Sequence, residues 1–558
     1  MTLQTETVGT TVLQDAAAQS PYELLKMQSL RFAEHDLLVL PDDVRHMWGL
    51  NRSSWTYRDV LEEADALADR YRGAGYGAGH RVAVLLENRP THFIHWLALN
   101  SLGISLVPVN PDYTADELSY LLDHSESLLV VTLASRVAQV AASAEALQIP
   151  VWVAGEGDIP AAKQPPQPVA GAVGECECAL IYTSGTTGRP KGCLLSNDYF
   201  LAWGHWYVAQ GGQVCLREGQ ERLITPLPTF HVNAMGNSFM GMLASGGAQI
   251  IVDRFHPRSW WDMAEETKAT CFHYLGVMPA ILLAIPPSDK DRRHQLRFGV
   301  GGGVHPDHHA AFEQRFGAPL LEGWAMTESG GACILCASDA PRHVGERCLG
   351  RATRPGPRME VRIVDDEGRD VPTGTPGELL VRAGAGTPAK GLFSGYLKNP
   401  QATAEIWQGG WLHTGDIMRM DEQGSLYFVD RKKNIIRRSG ENIAAIEVEG
   451  AIATHPAVAQ IAIVAVLDPL RGEEVLAVVV AREGFERDEA LALDILRHSA
   501  GQLAYYKVPG YVVFVDSMPT TSTQKIRKAD LGAVAEDPGS AEHGFDLRER
   551  KQALRVKH

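Results

Sequence analysis

The chain has 558 residues, of which 45% are hydrophobic and 21% charged, and a formal net charge of −15. That length requires at least two independently packed units, and the acidic balance argues against a nucleic-acid partner. No apolar stretch reaches the roughly 18 residues that a membrane span needs.

Residues 1–20 lack a basic patch followed by an apolar run and read as a disordered lead-in, so a cytoplasmic protein is expected. Eight cysteines in so long a chain do not make a disulfide framework. The close pairs Cys176/Cys178 and Cys333/Cys336 lack the second half of a zinc site, so buried, reduced thiols are expected.

From about Trp55 to Thr132, amphipathic helical segments alternate with apolar runs at 81–86 and 128–131, and the pattern returns at Val151-Trp-Val153. Such alternation predicts layered α/β architecture with mostly parallel strands. The Pro-rich run 160–168 reads as a surface connection. Two further α/β stretches run from Cys178 to Phe230 and from Ala248 to Leu321. Around 345–430 short β-like runs separated by Gly and Pro predict a small barrel or meander. A domain boundary is expected at 430–433, followed by a compact α+β unit over 435–530 and a charged, irregular polar tail over 531–558.

The strongest local feature is Tyr182-Thr-Ser-Gly-Thr-Thr-Gly-Arg-Pro-Lys191-Gly192, which directly follows an apolar run. Glycines at 185, 188 and 192 let backbone approach an anion, Thr183, Ser184, Thr186 and Thr187 supply hydroxyl donors, and Lys191 supplies positive charge. This is a phosphate cradle but not a Walker A loop, which needs Gly-Lys-Ser/Thr after four intervening residues. The competing reading is a Gly/Thr-rich turn between strands.

This segment resembles the signature of the adenylate-forming superfamily, which joins acyl- and aryl-CoA synthetases, peptide-synthetase adenylation domains and beetle luciferases. Four more segments match in the family's order. They are Gly323-Trp-Ala-Met-Thr-Glu328, Trp411-Leu-His-Thr-Gly-Asp416, Asp430-Arg-Lys-Lys433 and Pro519-Thr-Thr-Ser-Thr-Gln-Lys525. The texture also resembles the carnitine and crotonobetaine CoA ligase branch. Absence of an evident acidic or aromatic cage for a quaternary ammonium means that the kinship carries over without the substrate.

The resemblance implies a large N-terminal domain over 21–430, a hinge at 431–434 centred on Lys433, and a small mobile C-terminal domain. It implies ATP, Mg2+ and coenzyme A as co-substrates. Residues Thr183, Ser184, Gly185, Thr186, Thr187, Gly188, Lys191, Gly301, Gly302, Gly323, Trp324, Thr327, Asp416, Arg431 and Lys525 would bind ATP or AMP. Glu328 would hold magnesium, which suits a carboxylate that shares the ion with phosphates and water. Lys525, Thr327, Glu328 and His231 would be catalytic, and Arg438, Ser439 and Gly440 would meet CoA.

The acyl group would lie against His231, Val232, Asn233, Met235, Gly236, Tyr274, Gly276, Val277, Met278, Gly303, Ala325 and Met326. These positions carry little charge and favour a medium-sized apolar or ring-bearing acid over an amino acid. Two departures from the family pattern stand out: Trp324 replaces the commoner Tyr, and Gln524 replaces the Gly before the lysine.

The expected activity is acyl-AMP formation followed by transfer to CoA. The alternatives are an enzyme that stops at acyl-AMP or loads a carrier protein, and a silent nucleotide-binding regulator. A carrier attachment site does not follow Lys528, which favours a free-standing enzyme, and a homodimer is compatible with this reading.

Overall fold

Thr56 accepts a hydrogen bond from the backbone of Asp59, whose carboxylate reaches back to the Thr56 N–H. This capping box starts the helix Tyr57–Gly73. Tyr57, Val60, Ala64, Leu67, Ala68 and Tyr71 fall at three- and four-residue intervals along it and are buried. In this computed structural model the chain is described over residues 18–168, 171–183, 190–352, 359–384, 386–438, 441–468, 471–520 and 526–555.

Two layered sheets carry most of the N-terminal half. One is eight-stranded, in the order Leu335–Cys336, Leu320–Trp324, Phe298–Gly302, Cys271–Leu275, Arg222–Thr225, Ala248–Ile251, Asp36–Val39 and Ser54–Thr56. Its inner pairings are parallel and both edges antiparallel. The other is seven-stranded, in the order Gly395–Tyr396, Lys191–Ser196, Glu177–Thr183, Ser105–Pro108, Arg81–Leu85, Leu129–Thr132 and Val151–Val153. The strands expected near 81, 128, 151, 249, 271 and 298 are all present.

The helix Pro90–Ser101 is buried on every side, which matches its apolar composition. Its Phe93 stacks on Phe239, and Trp96 meets Phe200 edge-on. No helix among the described residues is long and apolar enough to cross a membrane.

Among the described residues the β-rich stretch forms a six-stranded sheet, with Cys348–Arg351, Ser425–Arg431, Trp411–Met420, Gly377–Arg382 and Glu360–Val364 in that order and Trp407–Gln408 beside Trp411–Met420. The chain divides into two units within these strands. One comprises Met1–Arg362, Leu380–Thr414 and Asp421–Tyr427; the other comprises Ile363–Leu379, Gly415–Met420 and Phe428–His558. From Phe428 onward the chain stays in the second unit. Local bonds tie its segments together: Gly374 N–H donates to the Met420 carbonyl, and Lys432 pairs with Glu378 at 2.8 Å.

The second unit has a core of Ile436, Ile443, Val448, Val475, Val479, Ile495 and Val512. The segment expected as an irregular tail is folded over its described residues. Gly544–Asp546 pairs antiparallel with Tyr511–Phe514, Leu547 enters the core, and Arg548–Arg555 is helical. Six of the eight cysteines are buried; Cys215 is exposed and Cys176 intermediate.

Candidate active site

The phosphate-loop segment joins two antiparallel strands, Glu177–Thr183 and Lys191–Ser196, in the register Thr183↔Lys191 and Tyr182↔Gly192. Ser184, Gly185, Thr186, Thr187 and Gly188 lie outside the described residues, but both ends of the segment are fixed. The Tyr120 hydroxyl donates to the Pro190 carbonyl at 3.1 Å, and Tyr182 bonds His124 at 2.8 Å. Gly192, grouped with the loop glycines by sequence, lies within the strand. A Cβ there would stand 3.0 Å from Leu180 Cδ1, so packing accounts for this glycine.

Strand Leu320–Trp324 delivers Gly323 and Trp324 and ends in the turn that carries Ala325, Met326, Thr327 and Glu328. The Tyr199 hydroxyl donates to the Thr327 carbonyl at 2.8 Å, and Phe393 N–H donates to the Glu328 carbonyl at 3.1 Å. The Glu328 side chain is buried, with 7% exposure. Its Oε1 accepts a 2.7 Å hydrogen bond from the Tyr396 hydroxyl, and the Cys193 sulfur stands 3.9 Å from the same oxygen. Lys191 Nζ lies over the Tyr396 ring, 4.9 Å from its centroid. Burial, followed by the neighbouring Glu328 carboxylate, raises both the Tyr396 phenol and the Cys193 thiol, so both stay protonated.

Gly301 and Gly302 end the strand beside Tyr274 and Leu275. Gly276 faces the turn at Gly303 so closely that a Cβ would stand 1.7 Å from the Gly303 carbonyl oxygen. The N–H groups of Gly303 and Val304 donate to the buried carboxylate of Glu322 at 3.3 and 2.8 Å. Sequence reasoning missed this tie. A lone acid inside an apolar strand was the available signal, since a buried carboxylate needs donors.

The acyl candidates fall into two groups. His231, Val232, Asn233, Gly276, Val277, Gly303, Ala325 and Met326 keep part of their surface open, whereas Met235, Gly236, Tyr274 and Met278 are buried. Asn233 opens a π-helical turn, Asn233–Met240, a geometry that recurs at functional sites. Its side-chain oxygen lies 3.1 Å from His273 Nδ1, which also bonds Ser238; His273 Nε2 bonds the Tyr207 hydroxyl at 3.1 Å. Burial depresses His273 to about 3, so the imidazole is neutral.

Asp416 and the segment Asp430–Lys433 belong to the second unit. Asp416 is 0% exposed, and its Oδ1 lies 2.7 Å from Nε of Arg431, a side chain 46% exposed. Asp430 fixes the following turn: Oδ1 accepts from the N–H of Arg431 and from Asn434, and Oδ2 accepts from Ile446 N–H. Sequence reasoning used Asp430 only as a boundary marker. Lys433 sits in the 3-10 turn Lys432–Asn434, with its side chain outside the description.

Arg438, expected beside CoA, is buried against Glu474 at 2.8 Å, where Lys551 joins at 2.7 Å. Ser439, Gly440 and Lys525 lie outside the described residues. Thr520 and Ile526, which flank the lysine segment, form an antiparallel bridge. Of the cations next to Lys525 in sequence, Lys528 pairs with the partly buried Glu449 and Arg527 with Asp530.

A single carboxylate such as Glu328 suits magnesium, which keeps waters and substrate phosphates as its other ligands. No cluster of three or more His, Cys, Asp or Glu that could hold a metal occurs among the described residues.

Residues 34–397 match the AMP-binding enzyme family, and residues 447–525 match the AMP-binding enzyme C-terminal domain. The chain is 31% identical over 500 residues to a crotonobetaine/carnitine–CoA ligase of Escherichia coli O139:H28, covering 86% of this chain and 93% of the relative. Among solved structures, ATP-bound MatB from Rhodopseudomonas palustris superposes with a TM-score of 0.76 at 25% identity, covering 92% of this chain and 99% of that one. The amide bond synthetase McbA from Marinactinospora thermotolerans superposes with a TM-score of 0.75 at 26% identity and the same coverage. With both segments matched in order, the chain belongs to the AMP-binding enzyme family.

Proposed function

We propose that the chain is an AMP-forming acyl-CoA ligase. A carboxylate oxygen of the acid attacks the α-phosphorus of ATP, pyrophosphate leaves, and the resulting acyl-AMP passes its acyl group to the sulfur of CoA. AMP then leaves and the thiol proton goes to solvent. The observation that carries this reading is the convergence of Lys191 and Glu328 on Tyr396 at the end of the phosphate-loop strand. A cation and a buried carboxylate on either side of one phenol suit a triphosphate and its counter-ion.

Within this reading Lys191 draws the phosphates in, and Thr327 donates to the α-phosphate. Trp324 offers a flat face to adenine, and Asp416 with Arg431 holds the ribose hydroxyls. Lys525 bridges carboxylate and phosphate oxygens as charge develops, and His231 borders the acyl carboxylate. Glu328 would hold magnesium, which when bound would offset the charge of the phosphates. Rotation near Lys433 then exchanges Lys525 for the loop at Ser439 and Gly440, where CoA arrives. Arg438, next to that loop in sequence, pairs with Glu474.

None of the acyl candidates is acidic, which supports a neutral apolar or ring-bearing acid. One observation favours a second reading of the acceptor: a solved structure of similar likeness, at a TM-score of 0.75, is an amide bond synthetase. The acceptor would then be an amine, while a carrier-protein thiol is the third candidate. Acid-dependent exchange of labelled pyrophosphate into ATP, across a panel of acids, tests the first half of the proposal. Exchange with no acid in the panel would count against it. Adding CoA, an amine or a carrier to the best acid identifies the acceptor.

A further inference from the structure

The edge of the seven-stranded sheet brings Tyr396 and Cys193 to one oxygen of Glu328 and sets Lys191 over the Tyr396 ring. Strand Gly395–Tyr396 pairs with Lys191–Ser196 so that Tyr396 stands opposite Cys193. Side chains of paired residues lie on the same side of a sheet, and Lys191, two residues before Cys193, shares that side. The short strand is tied down by Ser394 N–H to the Leu194 carbonyl and by Leu397 N–H to the Gly192 carbonyl, both at 2.8 Å. Tyr396 N–H also donates to Thr403 Oγ1 at 2.9 Å. The phenol is therefore fixed by backbone on both sides and does not depend on Glu328 for its place.

From that anchored position the Tyr396 hydroxyl donates to Glu328 Oε1 at 2.7 Å, and Cys193 approaches the same oxygen. Among the described residues both side-chain contacts fall on Oε1. A carboxylate held by one oxygen presents the other in a defined direction, as ligating carboxylates do when an outer-shell donor orients them.

We infer that Tyr396 is a positioning residue for magnesium binding, holding Oε1 of Glu328 so that Oε2 is presented to the metal while its ring seats Lys191. This rests on the reading of Glu328 as the metal ligand. Tyr396 need not touch nucleotide or metal to act, and the hydroxyl and the ring have separable tasks. The hydroxyl serves Glu328 and the ring serves Lys191.

Tyr396→Phe removes the hydroxyl and keeps the ring. Two quantities are measured with saturating ATP and acid: free Mg2+ at half-maximal pyrophosphate exchange, and Mn2+ binding to the enzyme–ATP complex by electron paramagnetic resonance, which needs no turnover. Tyr396→Phe is expected to weaken both metal constants about tenfold. Excess Mg2+ should restore exchange, with the KM of the acid and the melting temperature near wild type. Glu328→Gln should weaken metal binding at least as much. Unchanged metal constants in Tyr396→Phe, with weakened ones in Glu328→Gln, would overturn the inference and leave the Glu328 reading standing. Unchanged constants in both variants would overturn both. A loss of exchange in Tyr396→Phe that excess Mg2+ does not restore would also count against the positioning role.

Discussion

Asp416 and Arg431 form a 2.7 Å ion pair in which the carboxylate is fully buried and the guanidinium about half exposed. The buried partner supplies a fixed acceptor, and the exposed one can turn toward a ligand. Asp416→Ala should raise the KM of ATP about 10- to 100-fold, the range expected for charge-assisted hydrogen bonds of about 1.5–3 kcal/mol. The KM of the acid should stay near wild type. Steady-state kinetics with each substrate varied in turn checks this, and an unchanged ATP KM contradicts the ribose assignment.

The two half-reactions should separate by residue. Lys525→Ala should abolish acid-dependent pyrophosphate exchange while sparing thioester formation from a supplied acyl-adenylate. Lys433→Pro fixes the backbone at the hinge position and should slow one half-reaction more than the other. Equal slowing of both, or of neither, removes the hinge from the account.

Three buried imidazoles make the N-terminal half acid-sensitive. Burial holds His92, His95 and His273 down to about 3, against an ordinary value near 6.5. Between those values the unfolded chain binds the proton and the folded chain does not, so stability falls as pH falls through this window. Each imidazole contributes a slope of about 1.4 kcal/mol per pH unit. Urea midpoints at pH 7 and pH 5 should differ clearly, with the lower midpoint at pH 5. Equal midpoints would show that these histidines take up protons without unfolding.

The C-terminal unit carries a switch of opposite range. Lys551, buried beside Glu474 and Arg438, is lowered to about 8, chiefly by burial. The unfolded chain keeps that proton up to about pH 10.4, so the folding cost of the charged amine is full below pH 8 and fades as pH rises above it. Wild type should gain stability between pH 8 and 10 relative to Lys551→Met. Parallel denaturation curves for the two proteins across that window would contradict it.

Much of this architecture was legible because the segments that matter are local. The phosphate loop lies between two apolar strands adjacent in sequence, and the turn at Thr327 and Glu328 follows its strand directly. What escaped was set by distant partners. Tyr396 is 68 residues from Glu328, and nothing in Gly-Tyr-Leu identifies its acceptor. The strand Gly544–Asp546 exists because the edge of Tyr511–Phe514 is available to it, and charged flanks concealed it. The pairing of Arg438 with Glu474, 36 residues on, could not be read from either residue alone.

The central claim is that one chain activates an acid as acyl-AMP and delivers it to CoA. It is tested most directly by incubating the purified protein with ATP, Mg2+, CoA and the best acid from the exchange panel, and quantifying AMP, pyrophosphate and acyl-CoA by mass spectrometry. The account predicts equimolar AMP, pyrophosphate and acyl-CoA, with acyl-AMP accumulating at the active site when CoA is left out. ADP and phosphate as products, or AMP release without acyl-CoA, would contradict it.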